Sequence, residues 1–263
     1  MEETSWVCDR FGQGASPYWV RYAVGHGHLE EEKGLLRLVL GPDSERRLSD
    51  AQIHDYPGGR RSFRWSPPLE LRVRARFSHP AGEFLGTAGF GFWNHPFTHF
   101  DEVVSPPNNV WFFYASPPSA MELVPGVPGW GWKAAVLDGG RVPGPAMALA
   151  GLLLRLPLVA PLLARQAHRS VRAAEALLPG DMTAWHDYRL CWRADGCTFW
   201  VDGKTVLSTP YAPRPPLGFV AWVDNQYAIA RPDGHFSFGR LKIPRRQWLE
   251  LEAVEIGPCT QEG

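Results

Sequence analysis

The sequence predicts an all-β sandwich carrying one α-helical insertion. Three features point there: long runs of period-two alternation, Asp-Gly turns that join such runs into a meander, and proline pairs that punctuate the chain between them. With 263 residues, 44% hydrophobic and 13% aromatic, including 12 Trp, the chain has material for a core and rings to spare for a groove. No internal repeat and no second compositional regime divides it. Residues 1–263 therefore read as one sandwich domain, with residues 143–178 inserted in it.

In chain order, Leu35 to Leu40 is the first expected strand. Leu69 to Phe77 follows, where Leu69, Leu71, Val73, Ala75 and Phe77 face one way and Glu70, Arg72, Arg74 and Arg76 the other, the pattern of a half-buried strand. Thr87 to Asn94 and Asn109 to Ser116 are aromatic runs, with Pro106-Pro107 and Pro117-Pro118 bounding the second. His186 to Arg193 alternates Tyr188, Leu190 and Trp192 against Asp187, Arg189, Cys191 and Arg193. It turns at Ala194-Asp195-Gly196 into Cys197 to Val201, and again at Asp202-Gly203 into Lys204 to Ser208. Gly218 to Asp224, Phe236 to Ile243 and Leu251 to Ile256 complete the set.

From Pro143 to Leu178 the β pattern breaks, and the chain is rich in Ala, Leu and Arg, which favour helix. Val159, Leu163, Ala167, Val171, Ala174 and Leu178 recur at helical spacing, opposite Arg165, Arg169, Arg172 and Glu175, so the second half reads as a basic amphipathic helix. Three roles fit the segment: an apolar lid over a groove, a membrane-surface contact through Val142 to Ala164, or packing against the sandwich or a second subunit. A full membrane span is not expected, because both ends return to one sandwich and Pro157 and Pro161 interrupt the helix.

Charge narrows the partners. The 27 basic and 27 acidic residues balance, which argues against a surface that tracks nucleic-acid phosphates. The start, Met1-Glu-Glu-Thr-Ser-Trp6, is acidic without an apolar run, so a cytoplasmic location is expected. Cys8, Cys191, Cys197 and Cys259 lack paired CxxC spacing and read as buried thiols, with a Cys8–Cys259 bridge as the oxidised alternative. His95 and His99 have the i, i+4 spacing of metal ligands, but Pro96 removes the helix that makes that spacing useful. Gly25-His-Gly-His28 reads as a turn, and no metal site is expected.

Two stretches resemble a known family. Trp185-His-Asp-Tyr-Arg-Leu-Cys-Trp192, followed by Cys197-Thr-Phe-Trp-Val-Asp-Gly203, is similar to the W-H-x-Y-x-x-x-W and W-x-V-D-G signature of the family-sixteen glycoside hydrolases, the laminarinases and lichenases. Leu69 to Phe77 followed by Gly89-Phe-Gly-Phe-Trp93 resembles that family's charged strand and its F-W strand. The resemblance implies a concanavalin A-like jelly roll, and related sandwiches often bind a structural calcium ion, although no matching ligands are identifiable here. It also implies a catalytic strand with the pattern E-I-D-x-x-E, whose paired carboxylates perform retaining hydrolysis. Here that strand is Asn108-Asn-Val-Trp-Phe-Phe-Tyr-Ala115, with Asn109, Trp111 and Phe113 or Tyr114 at the acid positions. The nearest acids, Asp101 and Glu102, lie in the preceding loop, so orthodox hydrolysis is disfavoured.

Alternation turns Asn109, Trp111 and Phe113 toward the groove, with Trp93 and Trp222 as further ligand-binding candidates. Asp224 is the candidate proton donor, since apolar surroundings raise a carboxyl pKa; opening a turn and bonding local amides is its plainer role. His186 is the second candidate, against a purely structural histidine. The expected function is a non-hydrolytic sandwich that binds a hydrophobic small molecule and transforms it by acid-assisted cyclisation or isomerisation. A glycan-binding protein or divergent glycoside hydrolase is the first alternative, and a peripheral membrane or interaction module is the second.

Overall fold

The computed structural model describes residues 7–12, 16–43, 46–57, 62–94, 107–121, 123–139, 172–230 and 236–259. Its strands are β1 (Val7–Asp9), β2 (Val20–Val24), β3 (Gly27–Glu32), β4 (Leu35–Leu40), β5 (Asp50–His54), β6 (Leu69–Phe77), β7 (Thr87–Trp93), β8 (Asn108–Ala115) and β9 (Ala120–Met121). Then follow β10 (Gly131–Asp138), β11 (Arg172–Leu177), β12 (His186–Arg193), β13 (Gly196–Val201), β14 (Lys204–Thr209), β15 (Gly218–Asp224), β16 (Gln226–Ala230), β17 (Phe236–Arg240) and β18 (Gln247–Gly257).

Two sheets carry the sandwich. One runs β14-β13-β12-β6-β18-β4-β3, with β1 paired to β18; the other runs β11-β10-β8-β7-β15-β5-β2. A small third sheet, β17-β16-β9, brings Met121 against the outer side of the second. Alternation explains the packing. Leu69, Leu71, Val73, Ala75 and Phe77 of β6 meet Phe90 and Phe92 of β7 and Val110, Phe112 and Tyr114 of β8 in one buried cluster. Trp132 donates to the Tyr188 hydroxyl inside that cluster, so two large polar-tipped rings satisfy each other between the sheets.

The outward residues of the first sheet form a lattice of ion pairs. Glu70 accepts from Arg72 and Arg189, and Glu250, which has no exposed surface, accepts from Arg37 and Arg76. Trp185, Trp200 and Trp248 lie against the guanidinium groups of Arg76, Arg189 and Arg37. Cross-strand register puts Arg76 opposite Glu250 and Glu250 opposite Arg37, so charges of opposite sign meet across the sheet.

The insertion differs from expectation. Arg172–Leu177 is strand β11, paired antiparallel with β10, and not the end of a helix. Residues 143–171 lie outside the described residues, and among the described residues no α-helix occurs and none is long and apolar enough to cross a membrane. Helix propensity is a fraction of a kcal/mol per residue, and pairing with an all-buried β10 overrides it. The cysteines also differ. Cys191 and Cys259 form a disulfide with Cα atoms 5.9 Å apart, while exposed Cys8 and buried Cys197 remain free. Because the bridge closes 68 residues, Cys259→Ser is expected to lower unfolding free energy by about 2–4 kcal/mol. Urea melts with and without reductant check this: reductant should weaken the parent and leave the variant unchanged.

Candidate functional site

The outer side of the second sheet carries the aromatic residues singled out in the sequence. Register lines them up in rows. One row runs Thr87, Asp224, Asp50, and the next Lys133, Phe113, Gly89, Trp222, Gln52. The third runs Glu175, Ala135, Trp111, Gly91, Val220, His54, and the fourth Leu137, Asn109, Trp93, Gly218. Trp93, Asn109, Trp111, Phe113 and Trp222 therefore share one face. Tyr114, the other candidate for an acid position, points into the core, where its hydroxyl donates to the Phe84 carbonyl.

Glycines make the rings meet. A Cβ on Gly89 would lie 2.3 Å from the Phe112 carbonyl oxygen and 2.9 Å from the Trp222 ring, and one on Gly91 would lie 2.5 Å from Trp111 Cβ. With β7 bare at these two positions, Trp111 and Trp222 approach across it to a centroid distance of 5.1 Å. Trp93 is stacked parallel to Trp222 at 6.4 Å, and Trp111 on Phe113 at 5.2 Å. Tyr56 and Phe63 occupy the space that a Gly218 side chain would fill, and the Tyr56 hydroxyl accepts from Trp93 Nε1 at 2.8 Å. Phe113, Trp222 and Tyr56 are buried, whereas Trp93 and Trp111 keep partial exposure.

Charge on this face is sparse and enclosed. Asp224 is buried; its carboxylate accepts from the Gln226 amide at 2.8 Å and from the Gln226 side chain at 3.2 Å, the local turn role. Trp222 Nε1 donates to Thr87 Oγ1, and Thr87 in turn hydrogen-bonds Asp224, so the carboxyl is linked to the aromatic cluster. Asp50 stands directly opposite Asp224 on β5, with its Oδ1 unpartnered. Burial raises the Asp224 pKa against those hydrogen bonds; burial and then the Asp224 charge raise that of Asp50 well above its ordinary value. At the other side of the sheet, Lys133 and Glu175 form an ion pair at 3.2 Å with Lys133 only 1% exposed, and burial pushes the Glu175 carboxyl up against the pull of Lys133.

The structure does not bring His186 to Asp224. It sits on β12 in the other sheet, with Nδ1 2.7 Å from Asp202 Oδ2 and Nε2 3.0 Å from the Asp181 carbonyl. Burial lowers its pKa, but these hydrogen bonds outweigh that and raise it. The imidazole thus ties the Asp202-Gly203 turn to the loop before β12. His95, His99, Asp101 and Glu102 lie outside the described residues. Gly25-His26 forms the turn between β2 and β3. A cavity of about 380 Å³ opens on the opposite side of the sandwich, lined by Arg10, Arg72, Arg74, Arg189 and Trp200. Its arginines already pair with Glu255, Glu70, Asp187 and Glu252.

Sequence reasoning missed Asp50, Lys133, Glu175 and the glycine floor. The alternation Asp50, Gln52, His54 against Ala51 and Ile53 marks a half-polar strand, and Gly89-Phe-Gly-Phe marks a strand bare on one side. Nothing local reveals that Lys133 and Glu175 meet. Both Asp50 and Asp224 hold protons more tightly folded than unfolded. Stability from that binding is complete below the ordinary carboxylate range and is lost as pH rises through the raised values. Asp50→Asn should therefore exceed the parent in stability at neutral pH, with the gap closing toward acid, as read by urea melts across pH. Gly91→Ala should destabilise by about 1–3 kcal/mol through overpacking and shift the Trp emission.

Solved structures share this fold. The Bacillus licheniformis β-glucanase superposes with a TM-score of 0.55 at 10% identity, covering 98% of this chain and 100% of its own. The catalytic domain of an endo-1,3-β-glucanase (laminarinase) from Thermotoga petrophila does so at 0.53 and 10% identity, covering 96% and 97%. The Crh5 transglycosylase gives 0.54 at 12% identity, covering 97% and 85%. The fold is that of the concanavalin A-like glucanases, and at such identity the likeness is one of fold alone. No protein-family model matches the sequence, and no curated protein matches it.

Proposed function

We propose that this chain is a divergent glycoside hydrolase-type sandwich that binds an oligosaccharide on the aromatic face of its second sheet. The observation that carries this reading is the cluster of Trp93, Trp111, Phe113 and Trp222 on the strands where the family resemblance puts the groove. A pyranose ring presents an apolar C–H face that packs on an indole, and the hydroxyls at its rim seek polar partners. The structures that share the fold are named for carbohydrate chemistry, which favours a glycan over an apolar small molecule. Acid-assisted cyclisation or isomerisation would use the same rings with Asp224, but it lacks that support. The Cys191–Cys259 bridge supports an oxidising compartment rather than the expected cytoplasm.

Hydrolysis is the second reading, favoured by the opposition of Asp50 and Asp224. Retaining hydrolysis needs one carboxyl as acid and one as nucleophile about 5 Å apart, flanking the scissile bond. β8 supplies neither, whereas register sets the carboxyls of Asp50 and Asp224 opposite each other among the described residues of this face. Titration calorimetry with β-1,3- and mixed-linked glucan oligosaccharides should detect binding that Trp93→Ala weakens at least about ten-fold. No reducing ends should appear. Their release, with loss in Asp224→Asn, would transfer the assignment to catalysis by the acid pair.

A further inference from the structure

Besides Asp50 Oδ1, two polar atoms of β8 on this face have no hydrogen-bond partner among the described residues. Asn109 is 4% exposed and its Oδ1 is buried without a hydrogen bond, and the same is true of Trp111 Nε1. They lie on one strand, two residues apart and on one side, with Trp93 opposite Asn109 and Gly91 opposite Trp111. Leaving a buried polar group unpaired costs about 1–3 kcal/mol, and here successive outward residues of β8 each carry one beside stacked rings. One is an acceptor and the other a donor. A hydroxyl satisfies both, accepting from an indole N–H while donating to an amide oxygen.

We infer that Asn109 and Trp111 recognise one hydroxyl of a neutral sugar unit, so that the positions where the family carries its acids serve here for recognition. This rests on the glycan reading above and adds the class of glycan. Neutrality follows from the charges around the rings. The cation Lys133 is neutralised by Glu175 at 3.2 Å, and the facing carboxyls Asp50 and Asp224 supply no positive charge in either protonation state. A uronic or sulfated unit would find no cation to pair with among these residues, whereas a neutral hexopyranose meets rings, an amide and an indole N–H.

The test uses two substitutions, Asn109→Leu, which keeps the branched outline and removes the amide, and Trp111→Phe, which keeps an aromatic ring and removes the indole N–H. If these atoms are held for a ligand, removing the orphaned amide leaves no buried partner unpaired, so Asn109→Leu should melt at or above the parent temperature, while Trp111→Phe, which also gives up ring packing, is read by affinity. Both should bind neutral β-glucan hexasaccharide about five- to ten-fold more weakly by calorimetry. An oligogalacturonate of the same length should bind the parent at least ten-fold more weakly than the neutral chain. A structural role predicts the reverse, a lower melting temperature for Asn109→Leu with unchanged affinity in both variants, and that result overturns the inference while leaving glycan binding intact. Equal affinity for the anionic chain overturns it as well. A parent that binds neither oligosaccharide removes the glycan reading itself, and this inference with it.

Discussion

The site depends on one steric constraint, the absence of side chains on the outer side of β7 at Gly89 and Gly91. The same strand points Phe90 and Phe92 into the core, so it is heavily filled on that side and bare on the other between Thr87 and Trp93. Onto the bare side lean Trp111 from β8 and Trp222 from β15, two strands that do not pair with each other. Without that floor the rings would stand over their own strands as separate columns. With it they close into a single aromatic layer whose placement is fixed by sheet register and not by loops, which is why it can be held rigidly.

The two outer surfaces handle charge in opposite ways. On the first sheet, arginines and glutamates alternate across strands and rest on tryptophans, so even the fully enclosed Glu250 has two cations beside it. On the second, the charged groups are few. The Lys133–Glu175 pair is enclosed and self-neutralising, while Asp50 and Asp224 face each other without a cation and are driven toward their protonated forms. The first arrangement consumes its polarity in holding the sheet. The second leaves acid and amide groups with residual hydrogen-bonding capacity next to rings, which is the condition for binding chemistry.

The resemblance and the substitution within it acquire a common explanation. A strand that carries carboxylates in the glucanase pattern here carries Asn109, Trp111 and Phe113, and its neighbours supply the room those larger rings need. Tyr114, one residue on, belongs to the core and donates to the Phe84 carbonyl, so alternation alone divides this strand between the core and the outer aromatic face.

By itself the sequence determined the sandwich and most of the aromatic face. Alternation along Leu69–Phe77 and His186–Arg193 and the Asp202-Gly203 turn are local, and side chains two apart on a strand must share a side, so Asn109, Trp111 and Phe113 could be grouped without coordinates. Tertiary structure decided what depends on pairing between distant segments. It made a strand of Arg172–Leu177 despite helix-favouring composition, because β10 offered a buried edge, and it chose Cys191 as the partner of Cys259. It separated His186 from Asp224 and set Asp50 opposite Asp224, a match fixed only by the register of β5 on β15. Such contacts join residues far apart in the chain, and no local period encodes which strand lies beside which.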